Sequence, residues 1–242
     1  METGNFGQVR EAYTEARLLF PQEVIEYITA QLPSSAVVLD LGCGTGIATR
    51  QLHEQGVDVT GIDADAEMIA VAKEFSPDIA YDVAPANRIP FDNDSLDAVT
   101  PFSAFHWFTD NESLAEIKRV LKPGGQFFIV NKNDVAGFRV GYRTKLQEFL
   151  GISLPSPKDA YDPAEIIKQA GFTNVSTKVF QANEVFSPEG ALRHIQSAGV
   201  WSKIPSEKKT AAIELMKDHI HQDIRDGQAV RKLEVVLVSG IN

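Results

Sequence analysis

The segment Val37-Val38-Leu39-Asp40-Leu41-Gly42-Cys43-Gly44-Thr45-Gly46 holds the chain's most concentrated chemistry. An apolar run delivers the backbone to three glycines, and a helix-forming stretch leaves them. Glycine lets the chain turn sharply and lets a ligand come close to the main chain. Asp40 stands just before the loop. A carboxylate there repels a pyrophosphate but can face an ammonium, directly or through water. The G-x-G-x-G spacing also departs from the G-x-G-x-x-G of dinucleotide-binding loops. Asp63 ends a second apolar run, 21 positions after Gly42 (63 − 42). An acid at that point of a βαβ unit can accept both hydroxyls of a ribose. Its alternative role is to cap the helix that follows. Farther on, the stretch from Thr100 to Phe108 offers His106. Imidazole titrates near neutrality and can take a proton from a hydroxyl or an amine. It can equally fix its own loop through a local hydrogen bond. Trp107 and Phe108 read as core or pocket wall.

The elements that must hold these residues follow from apolar periodicity. Helices are expected over Phe6 to Phe20 and from Pro21 to about Leu32. Strands are expected over 36–41, 57–62, 79–83, 96–101 and 126–130, with helices over 45–54, 66–75 and 111–121. Repeated βα units argue for a parallel sheet with helices on both faces. Pro123-Gly124-Gly125 reads as a turn. Beyond Asn131 the pattern changes. Helices are expected over 138–150, 164–170, 187–197 and 205–225, strands over 175–180 and 232–239, and a proline-bearing loop over 153–163. The two late helices lie between strands, so they read as a cap on one domain.

Bulk properties narrow the function. The 242 residues are 43% hydrophobic and 23% charged, which suits one α/β domain with a continuous core. The 23 basic and 33 acidic residues leave a net charge of −10, which disfavours nucleic acid as a partner. Cys43 is the single cysteine, so no internal disulfide can form and a cytoplasmic location is expected. No apolar run reaches the ~18 residues that span a bilayer. Five scattered histidines and one cysteine give no zinc-type spacing, so no metal is expected.

Four segments together resemble the class I S-adenosylmethionine-dependent methyltransferases, in the group that acts on small molecules. They are Leu39 to Gly46; Gly61-Ile62-Asp63 with Met68; Ala86 to Phe91 with Ser95 to Val99; and Arg119-Val120-Leu121-Lys122-Pro123-Gly124-Gly125. They span residues 36–130. The segment through His106-Trp107-Phe108 further resembles relatives near the trans-aconitate methyltransferases. The resemblance implies a Rossmann-like, doubly wound, mostly parallel seven-stranded sheet with a small helical cap. Residues 1–34 would lie over the cofactor, 36–130 would form its binding core, and 137–170 and 187–225 would complete the sheet and cap. S-adenosylmethionine would be the cofactor and S-adenosylhomocysteine the product.

The resemblance also implies roles. Gly42, Cys43 and Gly44 would line the methionine part with backbone groups, beside the carboxylate of Asp40, and Asp63 would hold the ribose hydroxyls. Ala64 and Met68 would pack on the adenine face, although Met68 serves equally as helix packing. Ala86 and Asn87 would approach the adenine edge, and Phe102 would border the cofactor. Many relatives carry an acid at the positions of Pro85 and Asn87. Here Asn87, or Asp82 just upstream, is left to meet the adenine amino group. Tyr13 and Arg17, on the leading helix, would clamp a carboxylate; their alternatives are packing and a solvated helix face. His106 would be the general base. The methyl acceptor would be a small molecule with an oxygen, nitrogen or carbon nucleophile, and the protein a monomer or homodimer. A cofactor-binding protein without turnover and a protein methyltransferase are the competing readings.

Overall fold

The computed structural model describes residues 19–153 and 161–242. Tyr13 and Arg17 therefore lie outside the described residues, as does the leading helix up to residue 18. Two compact units make up the rest. One comprises Leu19–Lys132, 161–180 and Val235–Asn242; the other comprises 133–153 and Gln181–Glu234.

The first unit contains strands β1 (Val37–Leu41), β2 (Asp58–Asp63), β3 (Ala80–Val83) and β4 (Leu96–Val99). It also contains helices α1 (Gln22–Thr29), α2 (Ile47–Glu54), α3 (Ala66–Phe75) and α4 (Asn111–Val120). β1 pairs in parallel with β2 on one side and β4 on the other, and β2 pairs in parallel with β3. The chain thus winds outward through three strands and then returns past β1 to β4. Such a reversal leaves a crevice beyond the carboxyl ends of β1 and β4, where parallel sheets bind ligands. Leu39, Leu41, Ile62, Leu96, Val99, Ile117 and Phe127 form the core, all within 1% of full burial. Side chains end the solvent gaps at the helix starts: Asp65 caps α3 and Asp110 caps α4, each accepting from backbone N–H groups.

Three long strands complete an eight-stranded sheet of order β3-β2-β1-β4-β5-β8-β6, with a two-residue β7 pairing with β8. They are β5 (Leu121–Gly137), β6 (Thr173–Phe186) and β8 (Gln228–Ile241). Each runs well past its expected span. The turn expected at Pro123-Gly124-Gly125 lies inside β5 instead. There the pairing with β4 jumps from Leu96↔Leu121 to Ala98↔Gln126, so the intervening residues bulge out of register.

The second unit holds α5 (Tyr142–Leu150), α7 (Pro188–Gln196), α8 (Lys209–His221) and β7 (Ile224–Arg225); α6 (Pro163–Gln169) belongs to the first. Phe138, Tyr142, Phe186 and Ile204 are buried in this second core, and Phe149 and Trp201 pack against it. The helix expected through Arg225 stops at His221, because Asp226-Gly227 forms a two-residue hairpin that pairs Arg225 with Gln228. Arg231, 7% exposed, is bonded to Asp134 and Glu184, which joins β5, β6 and β8 by charge.

Candidate active site

The loop after β1 is built around close approach. Gly42 has φ +74°, and a Cβ there would lie 2.7 Å from the Ala104 Cβ and 3.3 Å from the Phe108 ring. The loop after β4 is therefore seated directly against the glycine turn. Gly46 has a different neighbour. A Cβ there would meet the Tyr81 hydroxyl at 2.4 Å. Tyr81 is buried and shares a hydrogen bond of 2.9 Å with Ser76, so it wedges the turn from β3. Among the described residues nothing stands within 4 Å of a Cβ built on Gly44, so these leave that side of the loop open.

Asp63 faces this loop. Its Oδ2 accepts from the Gly44 N–H at 2.9 Å and its Oδ1 from the Asp65 N–H at 2.9 Å. The helix cap is Asp65, not Asp63, which settles the alternative role of Asp63. Asp40 is fully buried. Its Oδ2 accepts from the Thr49 hydroxyl at 2.6 Å, while its Oδ1 has no partner among the described residues. Burial pushes its carboxyl up to about 7, against the lowering effect of Thr49, and the nearby charge of Asp63 adds to the rise. A lone buried carboxylate oxygen beside an open glycine turn fits a ligand that brings an ammonium, as S-adenosylmethionine does. A carboxylate reaching a backbone N–H across the turn fits ribose hydroxyls. Cys43 is half-buried, and burial next to Asp40 and Asp63 drives its thiol far up, which disfavours the thiolate that a nucleophile needs.

The residues expected beside adenine are less enclosed. Ala64 and Asn87 are exposed, while Met68 and Ala86 are half-buried, Ala86 against the main core. Asp82 is exposed, with its Oδ1 taken by the Val83 N–H. Residues Ile89 to Asn93 are held from behind by Arg119, which donates to the carbonyls of Ile89 (2.9 Å) and Phe91 (2.8 Å) and to Asn93 Oδ1 (2.8 Å). Glu116 orients Arg119 and accepts from the Ile89 N–H at 3.0 Å. The link between the third and fourth resembling segments is thus a physical strap.

The segment after β4 carries His106 in a short 3-10 helix, Phe105–Trp107. Its ring lies 4.8 Å from Trp107 and 6.2 Å edge-on from Tyr161. Phe105 and Phe108 point inward together, but Trp107 is 73% exposed. That corrects the expectation of a core or wall tryptophan: residues i and i+3 of the single turn share the buried side, and Trp107 falls on the other. Phe102 is buried, with its ring centroid 4.8 Å from that of Phe20 in an edge-to-face arrangement. Sequence reading missed Gln51. This residue is 5% exposed and clamps both the N–H and the carbonyl of Phe20, at 2.9 and 2.8 Å. Its only sequence signal is an amide on the apolar face of α2.

Among the described residues there is no group of three or more potential metal ligands, and no helix is long and apolar enough to cross a membrane.

Residues 39–129 match the model of a methyltransferase domain. An uncharacterized methyltransferase of Mycobacterium bovis is 30% identical over 224 residues, 88% of this chain and 84% of the relative. A solved structure from Anaeromyxobacter dehalogenans, provisionally assigned as a type II methyltransferase, superposes with a TM-score of 0.72 at 19% identity, covering 93% of this chain and 97% of that one. Phosphoethanolamine N-methyltransferase 2 of Haemonchus contortus, solved with phosphomonomethylethanolamine and S-adenosylhomocysteine, gives a TM-score of 0.55 at 20% identity, with 91% and 52% covered. With the open glycine turn, its facing carboxylate and the strand order, these likenesses lead to one conclusion: the chain belongs to the class I methyltransferases, enzymes that take their methyl group from S-adenosylmethionine.

Proposed function

We propose that this protein transfers the methyl group of S-adenosylmethionine to a small-molecule acceptor, with His106 receiving the acceptor's proton. The observation that carries the reading is the pair of carboxylates around the glycine turn, Asp63 bonded across it and Asp40 with one buried oxygen unmatched. In this reading Asp40 meets the ammonium of the cofactor, Asp63 its ribose, and Met68 its adenine.

The cofactor supplies a methyl group already activated on a sulfonium. The chain's own work is orientation and exclusion of water, which can be worth roughly 7–11 kcal/mol in well-aligned systems. Ala104 and Phe108, pressed on Gly42, fix the loop that bears His106 relative to the glycine turn. The acceptor's nucleophile bonds to the methyl carbon, the carbon–sulfur pair stays with sulfur, and the nucleophile's proton passes to the His106 ring. The acidic net charge and the small-molecule ligand of the Haemonchus contortus enzyme both favour a small acceptor over nucleic acid.

The test is transfer of tritiated methyl groups into a mixed pool of small metabolites. Label is expected in the small-molecule fraction, and His106→Ala should lower the rate by about 10²-fold or more while leaving S-adenosylhomocysteine affinity unchanged. Label confined to protein-sized material would overturn the small-molecule acceptor. An unchanged rate in the variant would remove His106 as the base.

A further inference from the structure

We propose that Asn131 meets the nucleophilic group of the acceptor through its amide oxygen, and that the acceptor therefore reacts through an N–H or O–H and not through a carboxylate. The inference rests on the small-molecule reading above and names the class of acceptor for that site.

Asn131 occupies a defined place. Val130, just before it, is the last β5 residue tied to the segment after β4: its N–H donates to Pro101 at 3.0 Å and its carbonyl accepts from Ser103 at 2.7 Å. Val130 also forms a bridge with Phe102. Asn131 follows at the carboxyl edge, on the same side as the stretch that carries His106. It is 4% exposed. Its Nδ2 donates to the Tyr161 hydroxyl at 3.4 Å, and its Oδ1 is buried with no partner among the described residues. Tyr161 in turn sits edge-on to His106 (6.2 Å) and 6.0 Å from Phe105. Asn131, Tyr161 and His106 are thus one cluster on one unit.

The chemistry follows from what is unmet. A buried carbonyl without a donor destabilises a folded chain, and a leucine of nearly the same size would avoid that cost. An amide oxygen attracts N–H and O–H groups and repels a carboxylate. A nucleophile whose hydrogen rests on this oxygen before transfer has its lone pair directed elsewhere; an amine keeps a second hydrogen for His106, and a hydroxyl passes its single hydrogen from the amide oxygen to the His106 ring as the bond to the methyl carbon forms. Tyr161, by accepting from Nδ2, fixes which end of the amide is the nitrogen and leaves the oxygen on the other side. Deprotonation beside His106 matters for an amine or a hydroxyl and has no purpose for a carboxylate, so the two residues point to the same acceptor class.

Three probes with one ring skeleton test this: benzyl alcohol, benzylamine and benzoate, each added to the S-adenosylhomocysteine complex and read by thermal melting. The alcohol and the amine should raise the melting temperature of the wild-type complex, and benzoate should not. N131L keeps the side-chain volume but removes the oxygen, and should lose both shifts. N131D keeps an oxygen in place and should retain the shift with benzylamine. Shifts that survive in N131L, loss of the benzylamine shift in N131D, or a wild type that answers to neither donor probe would each overturn the assignment. Stabilisation by benzoate would mean that the amide presents Nδ2 instead, which also overturns it. The response to S-adenosylhomocysteine alone separates the two levels. Its absence in the wild type removes the methyl-transfer reading, whereas its presence without discrimination among the probes removes only the role of Asn131.

Discussion

Asp40 combines complete burial, one hydrogen bond and one unmatched oxygen. Its carboxyl sits at about 7, chiefly because burial penalises the charged form. An acid whose folded value lies above its unfolded one holds its proton more tightly in the native state. Its stabilising contribution is full below the unfolded value near 3.8, falls as pH rises toward 7, and is lost above that. A ligand ammonium reverses the preference by favouring the carboxylate. Cofactor binding is therefore expected to release a proton near pH 7, and affinity to rise between pH 6 and 8 before levelling off. Asp40→Asn should flatten that profile and weaken binding about tenfold, the cost of one charge-assisted hydrogen bond. Calorimetry in buffers of different ionisation enthalpy counts the proton directly, and a pH-independent affinity in the wild type would sink the assignment. The carboxylates at 40 and 63 were legible because their places relative to the glycines are fixed by the chain itself. Asn131, Tyr161 and Gln51 were not legible. Their meaning depends on partners 30 or more positions away, and no local pattern encodes such a pairing.

Among the elements, the βα units from 36 to 130 were readable because period and turn chemistry agree there. The long strands were not. β6 and β8 extend to 14 residues each by pairing with neighbours, which local apolar content does not reveal. The hairpin at Asp226-Gly227 did have a sequence signal, and the helical pattern before it overrode that signal. Arg119 shows what element-level contacts contribute to the site. From α4 it ties down Ile89, Phe91 and Asn93, the loop that the proposed function sets beside the adenine edge. Arg119→Met keeps the aliphatic stem but removes every donor. The loop should then loosen, and cofactor affinity should fall about three- to tenfold, from the loss of roughly one net hydrogen bond's worth of free energy. The turnover of bound substrate should change little, since the guanidinium is engaged by Glu116, Ile89, Phe91 and Asn93. A variant with unchanged cofactor affinity and a reduced rate would contradict this division.

At the scale of the whole molecule, ligand binding and folding are one equilibrium. The glycine turn, Asp63 and Asp40 come from β1, β2 and the bends that follow them, so the site exists only when those strands are paired. A ligand that binds this folded arrangement and not the open chain stabilises it by mass action, by about 2.7 kcal/mol at a free concentration 100 times its dissociation constant. For a chain of this length, that corresponds to a rise in melting temperature of roughly 5–10 °C. The chain has two compact units, so a single transition is not assumed. Hydrogen exchange locates the effect independently of the transition count. The amides of Gly42 and Cys43, both bonded to the Ile62 carbonyl, and of Gly44, bonded to Asp63, should slow together. Under the same conditions the slowing should reach about 100-fold wherever exchange requires the site to open. S-adenosylhomocysteine that left both the melting temperature and these three amides unchanged at millimolar concentration would show that the turn does not hold the cofactor, whatever the likeness in fold.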